Sequence, residues 1–251
     1  MIYHEVSQNT DAWRILRAGK ITASSMDRIV DSHGNLRKGQ MPVTYRRELL
    51  TEWLLGQPIE SGGSPWTDRG RGQEEDGALA YEWEREVTLE RCGFFTTDDE
   101  LVGCSPDRLC GEDGIVEIKT PSAVNHVGNL LSMTDDYKAQ IQCQLFVTGR
   151  SWVDLVSFNP VMPLAIQRFE RDDAFIANMR DALYGEGRFL DVLSEEKAKL
   201  ERLGSRPATL PPAKCHHCGS TDDDVQTSDH LPTCSACRVK IEEIFGGKNG
   251  S

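Results

Sequence analysis

Apolar positions in the first ninety residues recur at helical spacing. Residues 11–17 (Asp11-Ala12-Trp13-Arg14-Ile15-Leu16-Arg17) predict a short helix with Asp11 placed to cap it and Gly19 to break the pattern. Trp13 falls on the side expected to join the core. Thr22-Ala23-Ser24-Ser25 offers a cap for a second helix over Met26 to Val30, and 31–38 is polar loop. From Thr44 to Leu55, Tyr45, Leu49 and Trp53 return at helical intervals until Gly56 closes the run. Ser61-Gly62-Gly63-Ser64-Pro65 has loop composition. A further helix over about 70–84 carries Glu74, Ala78 and Tyr81.

The period then changes to strand spacing. Short strands are predicted at 101–104, 108–110 and 115–119, the last two joined by the hairpin-turn composition Gly111-Glu112-Asp113-Gly114. A helix over 136–147 ends at Gly149. Strands at 152–158 and 164–169 follow, with Asn159-Pro160 turning between them. A long amphipathic stretch, 174–203, is interrupted near Gly185 and Gly187, and the proline-rich run from Arg206-Pro207 to Pro211-Pro212 marks a linker. The expected fold is α/β: a central mixed sheet flanked by helices, plus a small C-terminal module. The division is 1–203 for the main domain, 204–213 for the linker, 214–246 for the module and 247–251 for a flexible tail.

A chain of 251 residues accommodates one sizeable domain and a small appendage. With 38% hydrophobic and 27% charged residues the composition is that of a soluble globular protein. No run of about 18 apolar residues suggests a membrane span. The start, Met1-Ile2-Tyr3-His4-Glu5, lacks the basic and apolar blocks of a secretory leader, so a cytoplasmic location is expected. The net charge of −12 weighs against a broad phosphate-binding surface. A carboxylate cluster that holds divalent cations reverses that sign locally, so charge alone leaves nucleic acid open.

The eight cysteines form two groups. Cys92, Cys104, Cys110 and Cys143 lie among apolar residues and are expected to be reduced core thiols. Cys215, Cys218, Cys234 and Cys237 form two CxxC pairs, the spacing of a tetrahedral four-thiolate zinc site. An iron–sulfur cluster is the alternative. Disulfides do not suit a reducing compartment, and His216, His217 and His230 would serve only in place of a cysteine. The segment holds too little apolar sequence to fold without metal. Neighbouring Asp222-Asp223-Asp224 favours protein contact over phosphate contact for this module.

The densest chemistry lies between residues 105 and 119. In a strand over 115–119 side chains alternate, so Glu117 and Lys119 share one face while Val116 and Ile118 point to the other. Asp107, across the tight hairpin, can lie beside Glu117. Two carboxylates so placed offer hard oxygen ligands for Mg²⁺ or Mn²⁺. Lys119 can orient or deprotonate an attacking water, or stabilise charge on a phosphate, which suits phosphodiester hydrolysis. An exposed hairpin with alternating charges would show the same Glu-x-Lys. The Ser105-Pro106-Asp107 run ten residues before Glu117, and Glu74 upstream, favour the catalytic reading.

Residues 9–190 resemble the lambda exonuclease family, the YqaJ-type viral recombinases of the PD-(D/E)XK nuclease superfamily. The matching segments are Asp11-Ala12-Trp13 with Leu16-Arg17, Ile21-Thr22-Ala23-Ser24, Gly70-x3-Glu74-x6-Tyr81, Cys104-Ser105-Pro106-Asp107, Glu117-Ile118-Lys119 and Tyr137-x2-Gln140-x-Gln142. The resemblance implies a restriction-endonuclease-like core in which Asp107 and Glu117 are the principal Mg²⁺ ligands. The Ile118 carbonyl adds a third oxygen, and Glu74, rather than adjacent Glu75, completes the site. Lys119 is the catalytic lysine and Gln140 the active-site glutamine. Arg17, Ser24 and Ser105 match residues that bind a terminal 5′-phosphate. The activity implied is 5′→3′ digestion of one strand of linear double-stranded DNA, leaving a 3′ overhang for a single-strand annealing protein, by a ring-shaped homotrimer. If phage-encoded, it would act in the host cytoplasm. A restriction or repair endonuclease with the same chemistry, and a non-catalytic zinc-binding adaptor, are the alternatives. The cysteine module lies outside the resemblance.

Overall fold

The computed structural model describes residues 1–59, 65–133 and 135–204, those at 65–71 as backbone only. The linker beyond Gly204, the four-cysteine module with Cys215, Cys218, Cys234 and Cys237, and the tail lie outside the described residues.

The first helix, α1 (Asp11–Arg17), forms where the spacing predicts it, but its cap is Thr10. Thr10 has an extended backbone, and its hydroxyl accepts from the Trp13 amide at 3.2 Å. That is the reach of a capping side chain to the third helical residue. Asp11 is already helical and pairs with Arg14 instead. The second expected helix is a tighter 3-10 helix (Ala23–Arg28), entered from strand β2 (Ile21–Thr22) with no side-chain cap at Thr22. Helix α2 (Gln40–Leu55) ends at Gly56, whose φ of 64° is the left-handed stop that glycine allows. Helix α3 (Pro65–Arg85) begins before the expected position.

The strands form two mixed sheets where the sequence pattern predicts one. The smaller has β1 (Ile2–His4), β4 (Phe94–Thr96), β5 (Val102–Cys104) and β2 in that order. Its strands have two or three residues, too few for alternation to be visible. The larger sheet runs β3 (Leu89–Glu90), β6 (Arg108–Cys110), β7 (Gly114–Lys119), β8 (Trp152–Ser157) and β9 (Ala165–Glu170). Only β7 and β8 are parallel within it. Thus Ser105-Pro106-Asp107 is the crossing between sheets, leaving β5 in one and entering β6 in the other.

Helix α5 (Lys138–Thr148) packs against the 3-10 helix and both sheets, and eight of its residues are buried. It covers the β7 face that carries Ile115 and Glu117, within the main apolar core. Helix α3 covers the opposite face, where Ala78 and Tyr81 pack on Val116, Ile118, Val156 and Phe158. Gly77 permits this approach, since a Cβ there would stand 2.9 Å from the Ile118 Cγ2. Helices α6 (Asp173–Leu183) and α7 (Phe189–Arg202) are separated at Gly185 and Gly187 as the pattern predicts.

Helix α4 (Ala123–Leu131) is absent from the sequence reading, and its polarity is inverted. His126 and Asn129 face inward onto the Ser157 hydroxyl, while Val124 and Leu131 are 80% and 84% exposed. Cys92, Cys104, Cys110 and Cys143 are free thiols, buried except for half-buried Cys110. Among the described residues no helix is long and apolar enough to cross a membrane.

Candidate active site

The β6–β7 hairpin pairs Arg108 with Val116, so Asp107 stands one step further on, opposite Glu117. Its Oδ2 accepts the Ile118 amide at 2.7 Å, which anchors the carboxylate to the strand that carries Glu117 and Lys119. Ahead of it the Pro106 carbonyl is held by Gln8 Nε2 at 2.8 Å and by the Cys92 thiol at 3.2 Å. The sequence reading has no role for Gln8, which reaches this loop from 98 residues away.

Glu117 is 4% exposed, which rules out the exposed-hairpin reading. Its Oε1 accepts from Lys119 Nζ at 2.7 Å and from Gln140 Nε2 at 2.5 Å. Its Oε2 accepts from Gln144 Nε2 at 2.7 Å. Gln140 Oε1 in turn lies 3.4 Å from Lys119 Nζ, and the ammonium stands over the Tyr137 ring. Gln140 and Gln144 are one helical turn apart on α5, so both amides meet the same carboxylate. Gln142, between them, points away and bonds the Glu170 carbonyl and the Asp172 amide. The sequence reading identifies Gln140 and misses Gln144; the signal was its i+4 spacing.

The electrostatics are those of too much negative charge in too little water. Burial, and then the neighbouring Glu117 charge, push the Asp107 carboxyl well above the ordinary carboxylate range. Lys119 opposes that shift and the charge of Glu74 adds to it, which places Glu74 within electrostatic reach. Adjacent Glu75 is committed elsewhere, to Arg108 and to Arg91 at 2.6 Å. Burial alone would lower the Lys119 ammonium pKa, but Glu117 and Asp107 outweigh it and hold it above its usual value. Among the described residues no three His, Cys, Asp or Glu side chains already surround one point. The donor set nevertheless fits a hard divalent cation: the two carboxylates meet across a strand pair, and Asp107 carries a repulsion that a cation would relieve.

A second cluster adjoins this one. Strands β2 and β5 are parallel, with Thr22 beside Gly103, so Ser24 and Ser105 both follow at the same end of the small sheet. Ser105 Oγ accepts from Trp13 Nε1 at 2.8 Å, and the Arg17 guanidinium lies 3.9 Å from the centre of the same indole. Trp13 is therefore half-buried and polar in its contacts, not the core residue its spacing suggests. Burial lowers the Arg17 pKa, and Arg17 forms no ion pair among the described residues. Ser24 is exposed, its hydroxyl 3.3 Å from that of Thr22.

Residues 12–151 match the YqaJ-like viral recombinase domain. Among solved structures, an alkaline exonuclease from Laribacter hongkongensis (LHK-Exo) is 29% identical, with a TM-score of 0.68. The alignment covers 78% of this chain and 98% of that one. The same exonuclease in complex with dAMP gives a TM-score of 0.69 at the same identity and coverage. A phage-related exonuclease from Haemophilus somnus 129PT shares the fold at 15% identity, with a TM-score of 0.55 over 73% of this chain and 96% of its own. No functionally curated protein matches the chain.

Proposed function

Because the chain belongs to the YqaJ-like viral recombinase family, we propose that it is a divalent-cation-dependent exonuclease. It would digest one strand of linear duplex DNA from the 5′ end in recombination. One observation carries this reading. The Asp107–Glu117–Lys119–Gln140 cluster, centred on buried Glu117, is joined, through the two-residue step from Asp107 to Ser105, to a hydroxyl and a guanidinium that meet the same Trp13 indole, the guanidinium without an ion pair among the described residues. An internal cut needs only the first cluster; an end-directed cut also needs something that binds the end. The similarity to exonucleases, one of them in complex with dAMP, supports the same reading.

Asp107 and Glu117, with the Ile118 carbonyl and Glu74, would hold the cation. When bound, Mg²⁺ or Mn²⁺ supplies neutralisation of phosphate charge and acidifies an attacking water. In the metal-free site two carboxylates hold the Lys119 pKa above its usual value. Lys119 would orient or deprotonate the attacking water, or stabilise charge on the scissile phosphate. Gln140 ties Lys119 and Glu117 together, which limits the ammonium to one position. Arg17 would grip the terminal 5′-phosphate, with Ser105 and Ser24 adding hydroxyl donors. Trp13 orients both Arg17 and Ser105. A homotrimer, a single-strand annealing partner, a cytoplasmic site of action and a zinc-bound C-terminal module belong to the same proposal.

The test is Mg²⁺-dependent digestion of linear duplex labelled separately at each end. Nucleotide release from the 5′-labelled end, with closed circles resistant, is expected. Efficient cutting of closed circles would instead make the chain an endonuclease. Replacing Arg17 with Ala should reduce rates chiefly on 5′-phosphorylated ends; equal losses on 5′-hydroxyl ends would remove Arg17 from the pocket.

A further inference from the structure

The Gln144 amide is half used: one end is bonded to Glu117 and the other has no partner among the described residues. It is 1% exposed on α5, and its Nε2 donates to Glu117 Oε2 at 2.7 Å. Its Oε1 is equally buried and has no hydrogen-bond partner among the described residues. A buried carbonyl oxygen without a partner is destabilising; an apolar side chain of the same shape would avoid that cost but leave Glu117 Oε2 without its donor. The amide cannot be turned over to relieve it, since that would set two acceptor oxygens against each other. Gln142, two residues away and equally buried, has both amide groups satisfied by backbone and serves packing alone.

The consequence lies in how the two oxygens of Glu117 are divided. Oε1 receives Lys119 and Gln140. Oε2 receives only Gln144. A carboxylate pinned at one oxygen by a buried donor cannot rotate about its last bond to present the other. We propose that Gln144 is a positioning residue for the cation site, holding the Glu117 carboxylate in one orientation for the divalent cation. The idea rests on the reading of Glu117 as a cation ligand. It predicts a loss of cation binding in variants that still fold. Donors behind a ligating carboxylate are worth about 10–100-fold in metal affinity.

The experiment is calorimetric titration of the full chain with Mn²⁺, with melting of the metal-free protein measured in parallel. Glu117→Ala defines the signal that belongs to this site. Gln144→Met and Gln144→Leu keep the volume and remove the donor; Gln142→Met is the packing control. Mn²⁺ binding to the Gln144 variants should weaken by about 10–100-fold under conditions where melting shows them folded, while some fall in metal-free melting temperature is expected from the unpartnered Glu117 Oε2. Gln142→Met should melt lower and bind Mn²⁺ as the wild type does. Wild-type affinity in either folded Gln144 variant overturns the proposal. So does a loss of affinity in Gln142→Met as large as that in the Gln144 variants. If the wild type and Glu117→Ala bind Mn²⁺ alike, the cation reading of Glu117 fails first, and the inference falls with it.

Discussion

Two carboxylates are buried in neighbouring strands of the larger sheet, on opposite faces, and they have different fates. Asp154 on β8 is 2% exposed on the α3 face; Glu117 on β7 is 4% exposed on the α5 face. Asp154 is closed. Arg168 forks onto both of its oxygens at 2.7 and 2.9 Å, and the Tyr81 hydroxyl donates at 2.6 Å. The guanidinium is itself stacked 3.6 Å from the centre of the Trp152 ring. Glu117 has one ammonium and two neutral amides, and a second carboxylate beside it that is starved of compensation. Burial alone does not mark a functional carboxylate. A neighbour of like charge, which a cation would relieve, is what separates the two.

The largest effect expected from breaking this contrast is on the α5 face. Lys119→Met should lower initial rates on linear duplex by about 10²–10³-fold, with the fold retained by circular dichroism. A variant active at wild-type rates would remove Lys119 from the chemistry. On the α3 face Asp154→Ala should act through stability instead. Loss of a buried, charge-assisted pair costs about 2–3 kcal/mol here, toward the low end because half of Arg168 meets solvent. Urea unfolding reads that loss, and the activity per folded molecule should be unchanged. The smallest and most diagnostic effect has the opposite sign. Asp107→Asn should abolish activity yet raise the melting temperature of the metal-free protein. Asp107 keeps its proton in the folded state above the pH at which the unfolded chain releases it, so its ionisation opposes folding. The gain should be absent below about pH 4, the ordinary carboxylate pKa, grow as pH rises, and level off above the raised pKa. A gain that is constant with pH, or a loss, would place Asp107 in a relaxed environment.

Much of the site is legible in the sequence because it obeys local rules. Two-residue alternation places Glu117 with Lys119 and sends Val116 and Ile118 to the other face, where α3 meets them. The turn composition at 111–114 fixes a hairpin whose register carries Asp107 to Glu117. Glu75, next to Glu74, is held by Arg91 and Arg108. Helix ends at Gly56 and Gly149 follow from the left-handed backbone that glycine accepts there.

Other features depend on partners that local pattern does not encode. Trp13 carries the spacing of a core residue and is half-buried, because Ser105 and Arg17 meet its ring. Helix α4 shows its valines to solvent because Ser157 supplies a polar seat for His126 and Asn129. The four-stranded sheet is built of segments too short to signal themselves, and it divides strands that the sequence pattern merges.

The sequence by itself determined the layout of the candidate site: that Glu117 and Lys119 share a face, and which hairpin brings Asp107 to them. Those are consequences of strand period and turn length, set within a dozen residues. Tertiary structure alone decided that Glu117 is buried under α5, that Gln144 takes its second oxygen, and that Arg17, Trp13 and Ser105 converge two residues from Asp107. The contacts of Gln144 with Glu117 and of Trp13 with Ser105 join residues 27 and 92 positions apart in the chain, which only tertiary packing brings within reach.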